Sequence, residues 1–142
     1  VSVRQVSVFV ENRAGRVAEV TGILAERAIN VFGLSVSDQG EFGILRLMVD
    51  HPDLAADLLR EAGLTVTLRD VVCVRLPDEP GSVARLAKIL ADAGINITNF
   101  YLGARESTIL DTDDVGALEE ILYYYDYASL TEADMSSRHH LE

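Results

Sequence analysis

Two short loops carry the residues best suited to hold a small molecule. The first comprises Asn12, Arg13, Ala14, Gly15 and Arg16, the second Asp78, Glu79, Pro80, Gly81 and Ser82, and each precedes an apolar stretch with helical spacing. Glycine lets a backbone approach a ligand closely, and the first turn of a helix presents N–H groups with a partial positive charge. A carboxylate suits that place. The neighbouring Asn12 or Asp78 can accept hydrogen bonds from an ammonium group, so each loop offers partners to both ends of a free α-amino acid. A tight turn followed by a helix start would use the same residue types for structure alone, and one copy does not separate the two readings.

The sequence holds two copies. "NRAGRVAEVTGILAERAIN" and "DEPGSVARLAKILADAGIN" share one frame: Gly15 and Gly81 are 66 positions apart, as are Asn30 and Asn96. A repeat at fixed spacing dictates a repeated architecture. The loops differ in charge. Arg13 and Arg16 flank the first, which favours a carboxylate, whereas Asp78 and Glu79 make the second better suited to an ammonium or a cationic side chain. Unequal affinities are expected, with the first loop the one occupied.

Other chemistry finds little support. GxSxG, HExxH, GxxxxGK[ST] and GxGxxG are all missing, and outside the C-terminal pair His139 and His140 only His51 could act as a general base. His51 precedes Pro52 and reads as a residue opening a helix. In "DTDDVG", Asp111, Asp113 and Gly116 match three positions of a calcium loop, but Val115 and Leu122 stand where further ligands are required. Acids at a strand end and a helix N-cap explain that segment better. Cys73, the single cysteine, admits no intrachain disulfide or Cys-based zinc site and reads as a small strand residue. No catalytic residue, metal or cofactor is expected. The run "YYYDY" at Tyr123–Tyr127 could line a pocket, serve an oligomer interface, or pack a helix end on a sheet edge.

The elements that must position the loops follow from periodicity. Val6, Val8 and Val10 alternate with Ser7 and Phe9, as do Val72, Val74 and Leu76 66 positions on, which is a strand with one buried face. After each loop a helix presents Val17, Val20, Thr21, Leu24 and Ala28, matched by Val83, Leu86, Ala87, Leu90 and Gly94. Asn12 and Asp78 are expected to accept from the turn that follows them. A hairpin turning at Asp38–Gly40 comes next, then a helix with Leu54, Leu58 and Leu59 inward and Gly63 as its stop, then the strand "LTVTL". The second unit repeats this order with a shorter hairpin, a helix over about 114–124 and "YASL" as closing strand.

The result is α+β: two tandem ferredoxin-like βαββαβ units, each an antiparallel sheet with its helices on one face. The expected domains are 1–69 and 70–135, with 136–142 a tail resembling a tag remnant and "EADMSSR" solvated. On the third strand Leu45, Leu47 and Val49 suit the core, while Ile44 and Met48 face the other way, so a second subunit is expected to cover that back face.

Composition excludes several functions. With 49% hydrophobic residues the 142-residue chain can bury a core, while 12 basic residues against 23 acidic ones, a net charge of −11, disfavour nucleic acid and anionic membrane surfaces. No apolar run reaches the roughly 20 residues of a spanning helix, and a cytoplasmic location is expected.

The duplicated loop, Leu-rich helix and closing Ile-Asn resemble the ACT domain signature, and nearly the whole chain is similar to the small tandem ACT proteins that lack a catalytic domain. The resemblance implies a regulatory, allosteric module that binds a free amino acid where two ACT units lie side by side with their antiparallel sheets joined, and that controls a metabolic enzyme; with the back face covered by a second subunit, a homodimer is expected. It further implies one site from Asn12, Arg13, Ala14, Gly15 and Arg16 with Asn96 and Ile97. The other would join Asp78, Glu79, Pro80, Gly81 and Ser82 to Asn30 and Val31. The alternative is a non-catalytic assembly module that pairs with a partner enzyme without a ligand.

Overall fold

The computed structural model of the chain describes residues 2–136. His139, His140 and the tag-like end of the tail lie outside the described residues. Two compact units are present, Arg4–Arg69 and Asp70–Met135, the latter together with Val3.

In the first unit the elements are β1 (Val3–Glu11), α1 (Arg16–Glu26), β2 (Val31–Asp38), β3 (Phe42–Val49), α2 (Pro52–Glu61) and the start of β4 (Thr65–Arg75). The order across the sheet is β2, β3, β1, β4, with β1 and β2 both antiparallel to β3. The core face follows the alternation, Val6, Val8 and Val10 meeting Leu45, Leu47 and Val49 in one core closed by Val20 and Leu24 of α1 and by Ala55, Ala56 and Leu59 of α2, but Gln5 and Ser7 on the opposite face of β1 are buried as well, where a single buried face was expected. Both helices therefore lie on one face. Burying side chains of this size stabilises each unit by roughly 1.5–3 kcal/mol per large residue.

The second unit repeats the plan. The remainder of β4 is followed by α3 (Ser82–Asp92), β5 (Ile97–Leu102), β6 (Ser107–Thr112), α4 (Val115–Tyr124), β7 (Ser129–Leu130) and α5 (Glu132–Ser136). Cys73 and Val74 pair with Ile109 and Thr108 on β6 and with Leu130 and Ser129 on β7. Since both strands bond to the same two residues, β7 flanks β4 on the side away from β6, and the order is β5, β6, β4, β7. Val72, Val74, Leu76, Leu86, Leu90, Leu110, Leu118 and Leu122 form the core. The hairpin is clipped as expected, six residues per strand against eight in the first unit. It turns through Arg105 and Glu106, both at positive φ (57° and 60°), the requirement of a type I′ turn.

Five expectations change. "LTVTL" and "DVVCVR" form one continuous strand, β4, where two were expected. Leu54 is exposed, and Ala55 and Ala56 take its place in the core. Ala28 and Gly94 close no helix face: both lie beyond the helix ends in the left-handed region, where Gly94 is at ease and Ala28 is not. "EADMS" is helical, not a solvated stretch, and Met135 is buried. That helix brings Glu132 and Asp134 close enough to act electrostatically on Cys73, and Arg105 donates to the Met135 carbonyl at 2.9 Å. On the back face of β3, Met48 is already fully buried within the chain and Ile44 is half-buried, where a second subunit was expected to cover both. No helix among the described residues is long and apolar enough to cross a membrane.

Candidate functional site

Both helices after the duplicated loops begin in the same way. Gly15 (φ 90°, ψ −11°) and Gly81 (φ 90°, ψ −13°) occupy the N-cap positions of α1 and α3 in the left-handed conformation, and no side chain among the described residues caps either helix. The Arg16 amide turns back to the Arg13 carbonyl at 3.4 Å, the Ser82 amide to Glu79 at 3.3 Å, and the helical ladder starts only at Glu19 and Arg85. The amides of Val17, Ala18, Val83 and Ala84 are first-turn groups that have no acceptor one turn back. A β-carbon at Gly15 or Gly81 would meet nothing within 4 Å. Open space thus lies beside both.

Asn12 departs from the expectation. Its carboxamide nitrogen donates to Asp38 Oδ1 and to the Gly40 carbonyl, both at 2.9 Å, and its backbone amide donates to Glu41 at 2.9 Å. The side chain therefore ties the loop to the β2–β3 tip instead of accepting from the following turn. Asp78 is held by another route, its backbone amide donating to Glu106 Oε2 at 2.9 Å. Each loop is anchored to the hairpin tip of its own unit.

The remaining expected residues lie elsewhere within each unit. Asn30 and Val31 open β2, where the Asn30 amide donates to Asp50 Oδ1 at 3.1 Å and Val31 pairs with Val49 ahead of a bulge. β2 runs from there to Asp38, so the loop and these residues sit at opposite ends of a strand about 25 Å long. Asn96 and Ile97 stand equivalently at the start of β5, Ile97 opposite Thr112. Within one unit neither loop meets the strand start of that unit.

The charge reading also changes. Arg13 is paired with Glu11 (3.2 Å) and Glu19 (3.8 Å), and Arg16 with Glu19 (2.5 Å) and Glu11 (3.6 Å). The first loop is thereby neutralised by its own acids, although Arg16 Nε remains buried without a partner among the described residues. The positions equivalent to Glu11, Arg13, Arg16 and Glu19, 66 residues on, are Pro77, Glu79, Ser82 and Arg85. This exchange removes the acid–base cluster and leaves room.

Two cavities flank the second loop. One, of about 500 Å³, is lined by Arg75, Arg85, Pro80, Gly81, Tyr125 and Tyr127 among others. The other, of about 340 Å³, lies between the loop, the first turn of α3 and the β5–β6 hairpin, with Val83, Leu102, Arg105, Glu106 and Thr108 on its walls. The supposedly acidic loop thus faces three arginines. Of the tyrosine run, Tyr125 and Tyr127 line the larger cavity, while Tyr123 is 85% exposed. The sequence reading missed Arg75, Arg85, Arg105 and Thr108. Arg85 had a signal, since it reverses the charge of its repeat partner Glu19; Thr108 had none at the 66-residue spacing.

Cys73 and the acidic segment play structural parts. Burial is the main reason the Cys73 thiol is pushed up to about 11; Ser107 offsets this in part, and Glu132 adds to it. Asp114 caps α4, accepting from the Ala117 amide at 3.0 Å.

The family model for an ACT domain pair matches residues 1–138. A crystal structure of protein BT0572 from Bacteroides thetaiotaomicron is similar at 30% identity over 96% of each chain, with a TM-score of 0.88. The ligand-free regulatory subunit of aspartate kinase from Thermus thermophilus shares the fold at 23% identity, covering 85% of this chain and 91% of that one, TM-score 0.62. The corresponding subunit from Thermus flavus does so at 21% identity, over 85% of this chain and 90% of that one, TM-score 0.55. No curated protein matches the sequence. From the duplicated glycine-started helices and a family match spanning nearly all its residues, the chain belongs to the ACT domain pair family.

Proposed function

We propose that the chain is a non-catalytic regulatory sensor that binds a free amino acid at its helix-start loops and controls a metabolic enzyme. One observation carries the reading: both α1 and α3 begin at a left-handed glycine with no side-chain cap among the described residues and open space beside it. A carboxylate placed there completes the helix start that the fold leaves open. Units 1–69 and 70–135 are each proposed as one ACT domain. The second loop, Asp78–Ser82, is the stronger site, because the flanking cavities open there and the arginines beside it balance its acids. The Asn12–Arg16 loop is the weaker one, its arginines being engaged by Glu11 and Glu19. Asn30, Val31, Asn96 and Ile97 start the edge strands β2 and β5, and a second copy of the chain in a homodimer would bring them to a loop. The same fold serving as a regulatory subunit of aspartate kinase is compatible with control of an enzyme.

A thermal-shift panel of the common amino acids tests this, since a ligand bound only by the folded state at a hundred times its Kd adds about 2.7 kcal/mol. A rise in Tm with one or a few members supports the sensor. A flat panel returns the protein to the assembly reading, which the exposed pair Val36 (58%) and Leu102 (62%), on edge strands 66 residues apart, would serve.

A further inference from the structure

We infer that the 340 Å³ cavity under the Asp78–Ser82 loop selects amino acids whose side chain carries an uncharged hydrogen-bonding group, a hydroxyl or a carboxamide, and that Thr108 is the residue that selects. The inference rests on the sensor reading and names the ligand class of its second site. Thr108 lines this cavity, is fully buried, and its Oγ1 has no hydrogen-bond partner among the described residues.

The register shows why that hydroxyl is out of place. Val74 pairs with Thr108 on β6 as Val8 pairs with Leu45 on β3, and Val8 and Val74 are repeat partners. Leu45 fills the first core. In the second unit the corresponding side chain is smaller and polar, and a cavity lies above it. A buried hydroxyl without a partner is unfavourable to the free protein, and a ligand group that reaches it relieves that cost.

The walls narrow the ligand further. Val83 and Leu102 give apolar sides, against which a charged side-chain tip would be costly to bury. Asp78, Glu79 and Glu106 stand at the cavity against Arg105, an arrangement that repels a second carboxylate and accepts an ammonium. The α-carboxylate belongs to the first turn of α3, which Ser82 and Val83 open. A volume of 340 Å³ is at the small end of the range for small-molecule sites. An amino acid fits it with its side chain down on Thr108.

The test is calorimetric titration of the full chain with serine, threonine, asparagine and glutamine against alanine, valine and leucine. Wild type is expected to bind threonine about tenfold or more tightly than its near-isostere valine, because a site built around a hydrogen bond rejects the analogue that lacks it. Thr108→Val should bring the two within about threefold without lowering Tm, since the lost hydroxyl has no partner to abandon. Thr108→Ser should keep the preference, and serves alone should the valine variant fail to fold. Equal affinity for threonine and valine in wild type, or a preference that survives Thr108→Val, overturns the inference and leaves the sensor reading standing. Binding by no amino acid overturns both.

Discussion

The Asn12 carboxamide donates to Asp38 Oδ1 at 2.9 Å, joining the first glycine loop to the tip of the β2–β3 hairpin. The same nitrogen also reaches the Gly40 carbonyl, and Gly40 N–H in turn donates to Asp38 Oδ1 at 2.8 Å. One side chain thereby holds the loop ahead of α1 on a defined hairpin.

This linkage predicts a pH-dependent difference between two variants. Asn12→Ala should cost about 1 kcal/mol, the net worth of an ordinary hydrogen bond. Asn12→Asp should cost more at pH 7, because it sets a carboxylate beside Asp38. The repulsion disfavours the charged forms in the folded state, so the gap between the variants should close as pH falls below about 4. Denaturant titrations of both variants at pH 7 and pH 3.5 check this; a gap unchanged by pH contradicts it.

The duplicated glycines predict matched penalties. Because a β-carbon would meet no neighbour at Gly15 or Gly81, replacement by Val is costly through backbone conformation alone. At φ 90° that amounts to roughly 1–2 kcal/mol. Gly15→Val and Gly81→Val should therefore lower stability by similar amounts, and each should weaken ligand binding at its own loop. Widely different losses in Tm would show that the two helix starts are not equivalent.

Much of this organisation was legible in advance, for reasons that particular residues make plain. Gly15 and Gly81 carry one backbone conformation because the sequence repeats loop, helix and spacing together, and the alternation of Val6, Val8 and Val10 fixed their buried face. The direction of the Asn12 side chain was not legible, since it depends on Asp38 and Gly40, which only the hairpin brings near. Pairing of Arg13 and Arg16 with Glu11 and Glu19 was equally hidden, because composition counts charges without arranging them. Thr108 was obscured by the clipped hairpin. At 66 residues it aligns with Phe42, an exposed residue, whereas sheet register aligns it with Leu45 of the core. Met135 gave no periodic signal, because α5 spans a single turn or so.

Cys73 offers a separate handle on the second core. Burial raises its thiol to about 11 in the folded chain, above the roughly 8.5 of an unfolded thiol. Below the unfolded value both states keep the proton and stability is unaffected by it. As pH rises from about 8.5 through 11 the unfolded state gives up its proton first, so stability falls across that window. Wild type should lose stability there more steeply than Cys73→Ala, and native protein at pH 8 should resist a thiol reagent until denatured. Parallel pH profiles for the two proteins would contradict the assignment.

Titration of the folded chain with individual amino acids, read by calorimetry in wild type and in Gly81→Val, tests amino-acid sensing most directly. A sensor shows saturable binding of at least one amino acid by wild type and loss of the stronger site in the variant. Affinity that Gly81→Val leaves untouched, or no heat from any amino acid, would contradict it.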